Sequence, residues 1–169
     1  EFHSFKYGDS LNQLSIEENL IEDKTPFERL EDIHQLLQDE LAHELLIKVR
    51  ENSWQFFEDL VIDLMVKMGY GGAKSTNDEG IDGIINEDKL GLELIYLQAK
   101  KWDTETTIGR PEVQKFVGAL HGQRAKKGVF ITTSKFSDNA YEYVKTIDPK
   151  VVLIDGKTLT KLMIEYEIG

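Results

Sequence analysis

The chain has no cysteine among its 169 residues, which excludes disulfides and thiolate metal sites. It has no apolar run of about 18 residues, the length a membrane-crossing helix requires, so no span is expected. A basic start followed by a short apolar segment is also missing, and this predicts no secretory signal and a cytoplasmic protein. Gly69-Tyr70-Gly71-Gly72 is not followed by Gly-Lys-Ser/Thr at a helix entry, which excludes a nucleotide-binding phosphate loop and leaves a connection into a strand. Positive charge is scarce overall. The net charge of -11 argues at first against a partner as anionic as DNA.

The location of the charge changes that. Residues 1–63 carry 16 acidic and 5 basic side chains, whereas residues 64–169 carry 15 of each. Between Gln98 and Lys135 the balance reverses: Lys100, Lys101, Arg110, Lys115, Arg124, Lys126, Lys127 and Lys135 face only Asp103, Glu105 and Glu112. A solvated surface accounts for most such clusters, but this one supplies candidate DNA contacts in Lys101, Arg110, Arg124, Lys126, Lys127 and Lys135.

Length predicts one domain with a real core. Residues 1–24 lack strong periodicity and read as an acidic arm or linker, with the domain proper at 25–169. Thr25-Pro26-Phe27-Glu28 has the form of a capping box and opens a helix over 25–50. Its stripe of Leu30, Ile33, Leu37, Leu41 and Leu45 is expected to pack within the domain rather than on a second copy. A second helix starts near Ser53 and stops at Gly69, with Trp54, Phe56 and Phe57 thickening its buried side. Lys74 to Gly80 reads as a loop, in which Asp78 and Glu79 are solvated acids or donors to a second metal. Pro111 opens a helix carrying Val113, Phe116, Val117 and Leu120; Gln114 projects from it toward the strand that holds Lys100 and is a candidate for positioning DNA, and His121 is a base, a helix-end cap or a surface group. Gly128 to Ser134 is a buried strand ending in hydroxyls that bind phosphate or satisfy a turn. Helix 137–147, strand Val151 to Ile154 and helix Thr158 to Glu165 continue a β/α alternation. The pattern predicts an α/β fold: a mixed central sheet flanked by helices, with a helical extension at the N-terminal side.

The stretch from Ile81 to Lys101, IDGIINEDKLGLELIYLQAKK, carries the candidate chemistry. It reads as a hairpin in which Asp82 lies on one strand and Gln98-Ala99-Lys100 ends the other. Residues two apart on a strand share a face, so Gln98 and Lys100 point one way. A carboxylate from Asp82, an amide oxygen from Gln98 and a main-chain carbonyl at Ala99 make an oxygen set that suits Mg2+, or Mn2+ in its place. Lys100 alongside would bind phosphate as a point charge and orient water.

These residues resemble the PD-(D/E)XK nuclease signature in the variant where glutamine replaces the acidic residue, and more closely the Mrr-type restriction endonuclease catalytic domain. The resemblance runs through TPFERLEDIHQLLQDELAHELL, FFEDLVIDLMVKMGYGG, the hairpin with Trp102, GRPEVQKFVGALHGQRAKKGVFITTSKFS and VVLIDGKTLTKLM. It implies a restriction-endonuclease-like core and magnesium-dependent cleavage of double-stranded DNA with type IV-like restriction of foreign or modified DNA. It implies Asp82, Gln98 and Lys100 as catalytic residues; Glu58 on the first core helix either reaches the metal, as in that fold, or is an exposed helix acid like Asp59 and Asp63. Such proteins usually carry an upstream DNA-reading domain, for which this chain has no room. Cutting both strands with one site per chain implies a homodimer. Two other readings stay open: a non-catalytic DNA-binding or assembly module of the same fold, and a junction or end-processing nuclease.

Overall fold

A computed structural model of the chain describes residues 24–78, 80–103 and 105–169. Residues 1–23 of the arm expected at 1–24, Glu79 and the side chain of Asp78 lie outside that description. The first element is helix α1, Pro26–Glu51, started by the expected capping box: the Thr25 N–H donates to Glu28 Oε2 at 2.7 Å, and Thr25 Oγ1 accepts from the Glu28 N–H at 3.3 Å. The chain divides into two compact units between Leu41 and Ala42, inside this helix. In the first unit the expected stripe is not packed away: Leu30 is 62% exposed, and Ile33, Leu37 and Leu41 are exposed as well. Propensity, capping and helical side-chain pairs such as Gln35 with Asp39 sustain this part of the helix.

The second unit is built on a sheet of five strands in the order β1-β2-β3-β5-β7. Strands β1 (Gly71–Asp78), β2 (Ile81–Asn86) and β3 (Leu94–Lys100) are antiparallel neighbours, and β5 (Lys127–Thr132) and β7 (Lys150–Ile154) continue in parallel from β3. Strand β1 occupies the segment expected as a loop. Its sequence, GGAKSTND, has no apolar alternation, and sheet pairing with β2 overrides that local signal. Two short strands, β4 (Thr107–Ile108) and β6 (Lys135–Phe136), pair separately.

Helices cover both faces. On one, α2 (Trp54–Lys67) and α5 (Gly156–Glu165) lay Phe57, Leu60, Leu64, Leu159 and Met163 against Leu97, Ala99 and Ile131. On the other, α3 (Arg110–Gly122) and α4 (Asp138–Val144) bring Val113, Phe116, Leu120 and Ala140 to Tyr96, Phe130 and Val151. Strand β3 is buried on both sides, so its alternation is apolar against apolar, with Gln98 as the polar exception. Of the three aromatics expected to thicken α2, only Phe57 is buried; Trp54 and Phe56 are 43% and 42% exposed, because they lie off the inward stripe. Gly156 permits the close seating of α5: a Cβ there would lie 2.6 Å from the carbonyl oxygen of Thr133.

Candidate active site

The site begins where β2 leaves β3. The two strands pair from Asn86 with Leu94 to Gly83 with Leu97. Two residues further the ladder would join Ala99 to Ile81, but the Ala99 N–H donates instead to Asp82 Oδ2 at 2.7 Å. The Ile81 carbonyl is taken by the hydroxyl of Thr76 at 2.8 Å. A side-chain carboxylate thus replaces a main-chain acceptor, and Asp82 sits against Ala99 beside the Lys100 charge. Within a strand the N–H and C=O of one residue face the same neighbour, and the next residue faces the other. Since Lys100 C=O accepts from the β5 side, from Thr133 N–H at 3.4 Å, the Ala99 carbonyl points to the β2 side, into the gap at Asp82.

Burial pushes the Asp82 carboxyl up from its ordinary range, while the Ala99 N–H and the Lys100 charge pull it back. Its other oxygen, Oδ1, accepts no hydrogen bond among the described residues. Gln98 is 7% exposed, and its amide makes no hydrogen bond among the described residues. A Cβ built on Gly80, which holds φ +83°, would come within 3.9 Å of its Nε2. An amide that makes no hydrogen bond among the described residues, and a carboxylate with a free oxygen, are a donor set for a hard cation, with the Ala99 carbonyl facing the same gap. The residues present therefore fit Mg2+ or Mn2+. Glu58, on α2, is pushed up by burial, opposed by a hydrogen bond from Trp54 and reinforced by the charge of Asp82.

The Lys100 amine is committed elsewhere: it donates to Glu112 Oε2 at 3.0 Å and lies 5.8 Å from the centre of the Trp102 ring. Glu112, in the first turn of α3, also takes Lys115 on Oε1 at 2.6 Å, and both cations hold its carboxyl below the usual range. No role for Glu112 was expected from the sequence. Its signal was position, as one of three acids in the basic segment, two residues before Gln114, which is exposed and does not meet Lys100.

The hydroxyls at the end of β5 serve the turn, not an open phosphate site. Thr132 Oγ1 donates to the Lys100 carbonyl at 2.7 Å, Thr133 Oγ1 donates to the Trp102 carbonyl at 2.6 Å and accepts from the Trp102 N–H, and Ser134 Oγ donates to the Thr106 carbonyl. All three are buried and fix the strand that carries Lys100.

The basic segment does not form one strip. Lys101 donates to the carbonyls of Arg50, at 3.1 Å, and Asn52, closing the C-terminal end of α1. Arg110 stacks 4.7 Å from the Tyr143 ring, and Lys135 is exposed on β6. Arg124, Lys126 and Lys127 lie at the opposite end of β5 from Thr132, the partner of Lys100; at about 3.3 Å per residue, that is roughly 16 Å away. Lys127 is held there by Glu87 and Glu93, which push its amine up to about 12. His121 is exposed at the end of α3. Beside the end of β3, a cavity of about 300 Å³ is lined by Arg50, Lys101, Trp102, Asp103 and Thr106. Arg50 was not anticipated from sequence; it donates to the Thr133 carbonyl, and its buried Nε has no partner among the described residues.

A mixed five-stranded sheet between two helical layers is the fold of restriction endonucleases. MspJI restriction endonuclease, solved with a 27-mer oligonucleotide, matches with a TM-score of 0.54 and 23% identity over 75% of this chain and 31% of its own. The modification-dependent restriction endonuclease AspBHI matches with a TM-score of 0.59 and 20% identity over 78% and 36%. The profile of the Mrr catalytic domain, described as restriction endonuclease, covers residues 49–163, and the chain belongs to that family. It is 45% identical over 152 residues to the type IV methyl-directed restriction enzyme EcoKMrr of Escherichia coli K12, covering 86% of this chain and 49% of that protein. An uncharacterized protein of Sinorhizobium fredii, y4cE, is 27% identical over 97 residues, 56% of this chain and 25% of its own length. The chain thus spans half or less of the curated relatives it matches. No helix among the described residues is long and apolar enough to cross a membrane.

Proposed function

We propose that this chain is the cutting domain of a magnesium-dependent DNA endonuclease that restricts foreign, modified DNA. The observation that carries the reading is the Asp82 carboxylate, hydrogen-bonded to the Ala99 N–H with one oxygen free, beside the Lys100 charge. The donor set described above would hold the cation, with Glu58 reaching it from α2. When bound, the cation supplies Lewis acidity toward the phosphate and the leaving oxygen.

The remaining work falls to the protein. The hydrogen bond from Ala99 fixes the rotamer of Asp82. Lys100 orients the attacking water in line with the scissile phosphate and balances the negative charge that develops on the phosphoryl oxygens. Arg110, Lys135 and Gln114, at the same end of the sheet as Lys100, contact the DNA backbone. Double-strand cleavage by one site per chain calls for a homodimer, and choice of the modified base for a recognition domain outside this chain; the methyl-directed character of the E. coli relative supports that choice of substrate.

Nicking of supercoiled plasmid tests the reading. Cleavage with Mg2+ or Mn2+, abolished in Asp82→Ala and in Lys100→Ala, is expected. DNA retarded in a gel and never cut under any divalent ion would show instead a binding or assembly module; preference for branched or end substrates would show a junction or end-processing nuclease.

A further inference from the structure

Three charged side chains from three elements converge at the end of β3: Asp82 of β2, Lys100 of β3 and Glu112 of α3. The expected partner of Lys100 is Asp82, since pairing would relieve the cost of burying that carboxylate. Asp82 feels the lysine's charge, but among the described residues the ion pair Lys100 makes is with Glu112, at 3.0 Å. If the amine turned to Asp82, it would occupy the free oxygen on which cation binding depends.

We propose that Glu112 is a positioning residue that holds the Lys100 amine away from Asp82 and thereby keeps the Asp82 carboxylate open to a divalent cation. The inference rests on the nuclease reading of this site and assigns a role to a residue that reading does not use.

Glu112 is built for that task. Val113, Phe116, Val117 and Leu120 are all buried, so α3 is anchored along its length and its first turn cannot follow the lysine. An anionic side chain is favoured at that turn by the helix dipole. The Lys100 and Glu112 side chains are 26% and 21% exposed, enough covered for their attraction to outlast screening, whereas Lys115, on the other oxygen, is 73% exposed and screened by solvent. The Trp102 ring bounds the amine on a further side. The Trp102 main chain is itself pinned through both N–H and C=O to Thr133.

Binding of Mn2+ to the intact chain, read by calorimetry and by loss of the free-ion paramagnetic resonance signal, tests this without any cleavage measurement. Glu112→Gln keeps the shape and removes the charge; it should weaken Mn2+ binding about tenfold while leaving the circular dichroism spectrum unchanged. In a Lys100→Met background the same substitution should have no effect, because no amine is left to fall onto Asp82. Equal Mn2+ affinity of wild type and Glu112→Gln overturns the proposal and leaves the nuclease reading standing. Equal weakening with and without Lys100 overturns it too, since Glu112 would then act on the cation by itself. A wild-type chain that binds no Mn2+, and is unaltered in this by Asp82→Ala, removes the metal reading and the role of Glu112 with it.

Discussion

Replacing Gln98 by glutamate restores the second carboxylate that the glutamine variant lacks, and the structure sets the size of the effect. A unit charge pair at about 4 Å, with an effective dielectric of about 20, is worth on the order of 4 kcal/mol, or roughly a thousandfold in affinity before desolvation. Position 98 is only 7% exposed, so burying the new carboxylate takes back several kcal/mol when it is unpaired and less when a cation sits against it. Gln98→Glu should therefore bind Mg2+ about five- to a hundredfold more tightly than wild type. Without metal the same change should destabilise the fold by about 1–3 kcal/mol at neutral pH, because it adds a like charge beside a carboxylate that burial already disfavours. Added Mg2+ should then raise the melting temperature of the variant more than that of wild type. Titration calorimetry and paired thermal scans with and without Mg2+ measure both. Unchanged or weaker affinity, with no extra metal-dependent rise in Tm, would refute contact between Gln98 and the cation.

Burial raises the Asp82 carboxyl in the folded chain, so its ionised form costs stability at neutral pH, and that cost fades as pH falls through the window between its folded value and the unfolded value near about 3.9. Asp82→Asn should melt a few degrees above wild type at pH 7 and cut no DNA, with the thermal difference shrinking toward pH 4; scans across pH check it. Thr133→Val removes the donor to the Trp102 carbonyl and the acceptor for its N–H, and should cost about 2–4 kcal/mol in denaturant unfolding. Lys135→Ala and Arg110→Ala should weaken DNA binding severalfold and each reduce the salt dependence by about one ion, whereas Lys127→Ala, at the far end of β5 and tied to Glu87 and Glu93, should leave both unchanged in a salt series of gel shifts.

Where a signal is local, the sequence determined the outcome. The Thr25–Glu28 capping box starts α1, Ser53 caps α2, and two apolar runs either side of the polar break at Asn86 to Lys89 make the β2–β3 hairpin that carries Asp82 and Gln98-Ala99-Lys100. Residues two apart on a strand and four apart on a helix are placed by backbone geometry alone, so periodicity reads them. Strand β1 was not legible because GGAKSTND holds its place through pairing with β2, and pairing is not written in either strand by itself. Nor does periodicity say whether an apolar stripe meets a partner, which is why Leu30 to Leu41 of α1 read as core and are exposed. Tertiary structure alone decided the ends of the parallel strands: it sent Lys127 and Lys100 to opposite ends of the sheet, turned the Thr132-Thr133-Ser134 hydroxyls onto carbonyls and gave Lys100 to Glu112. Those outcomes depend on which of several nearby charges and acceptors lies within about 3 Å, and packing sets that distance between elements far apart in the chain.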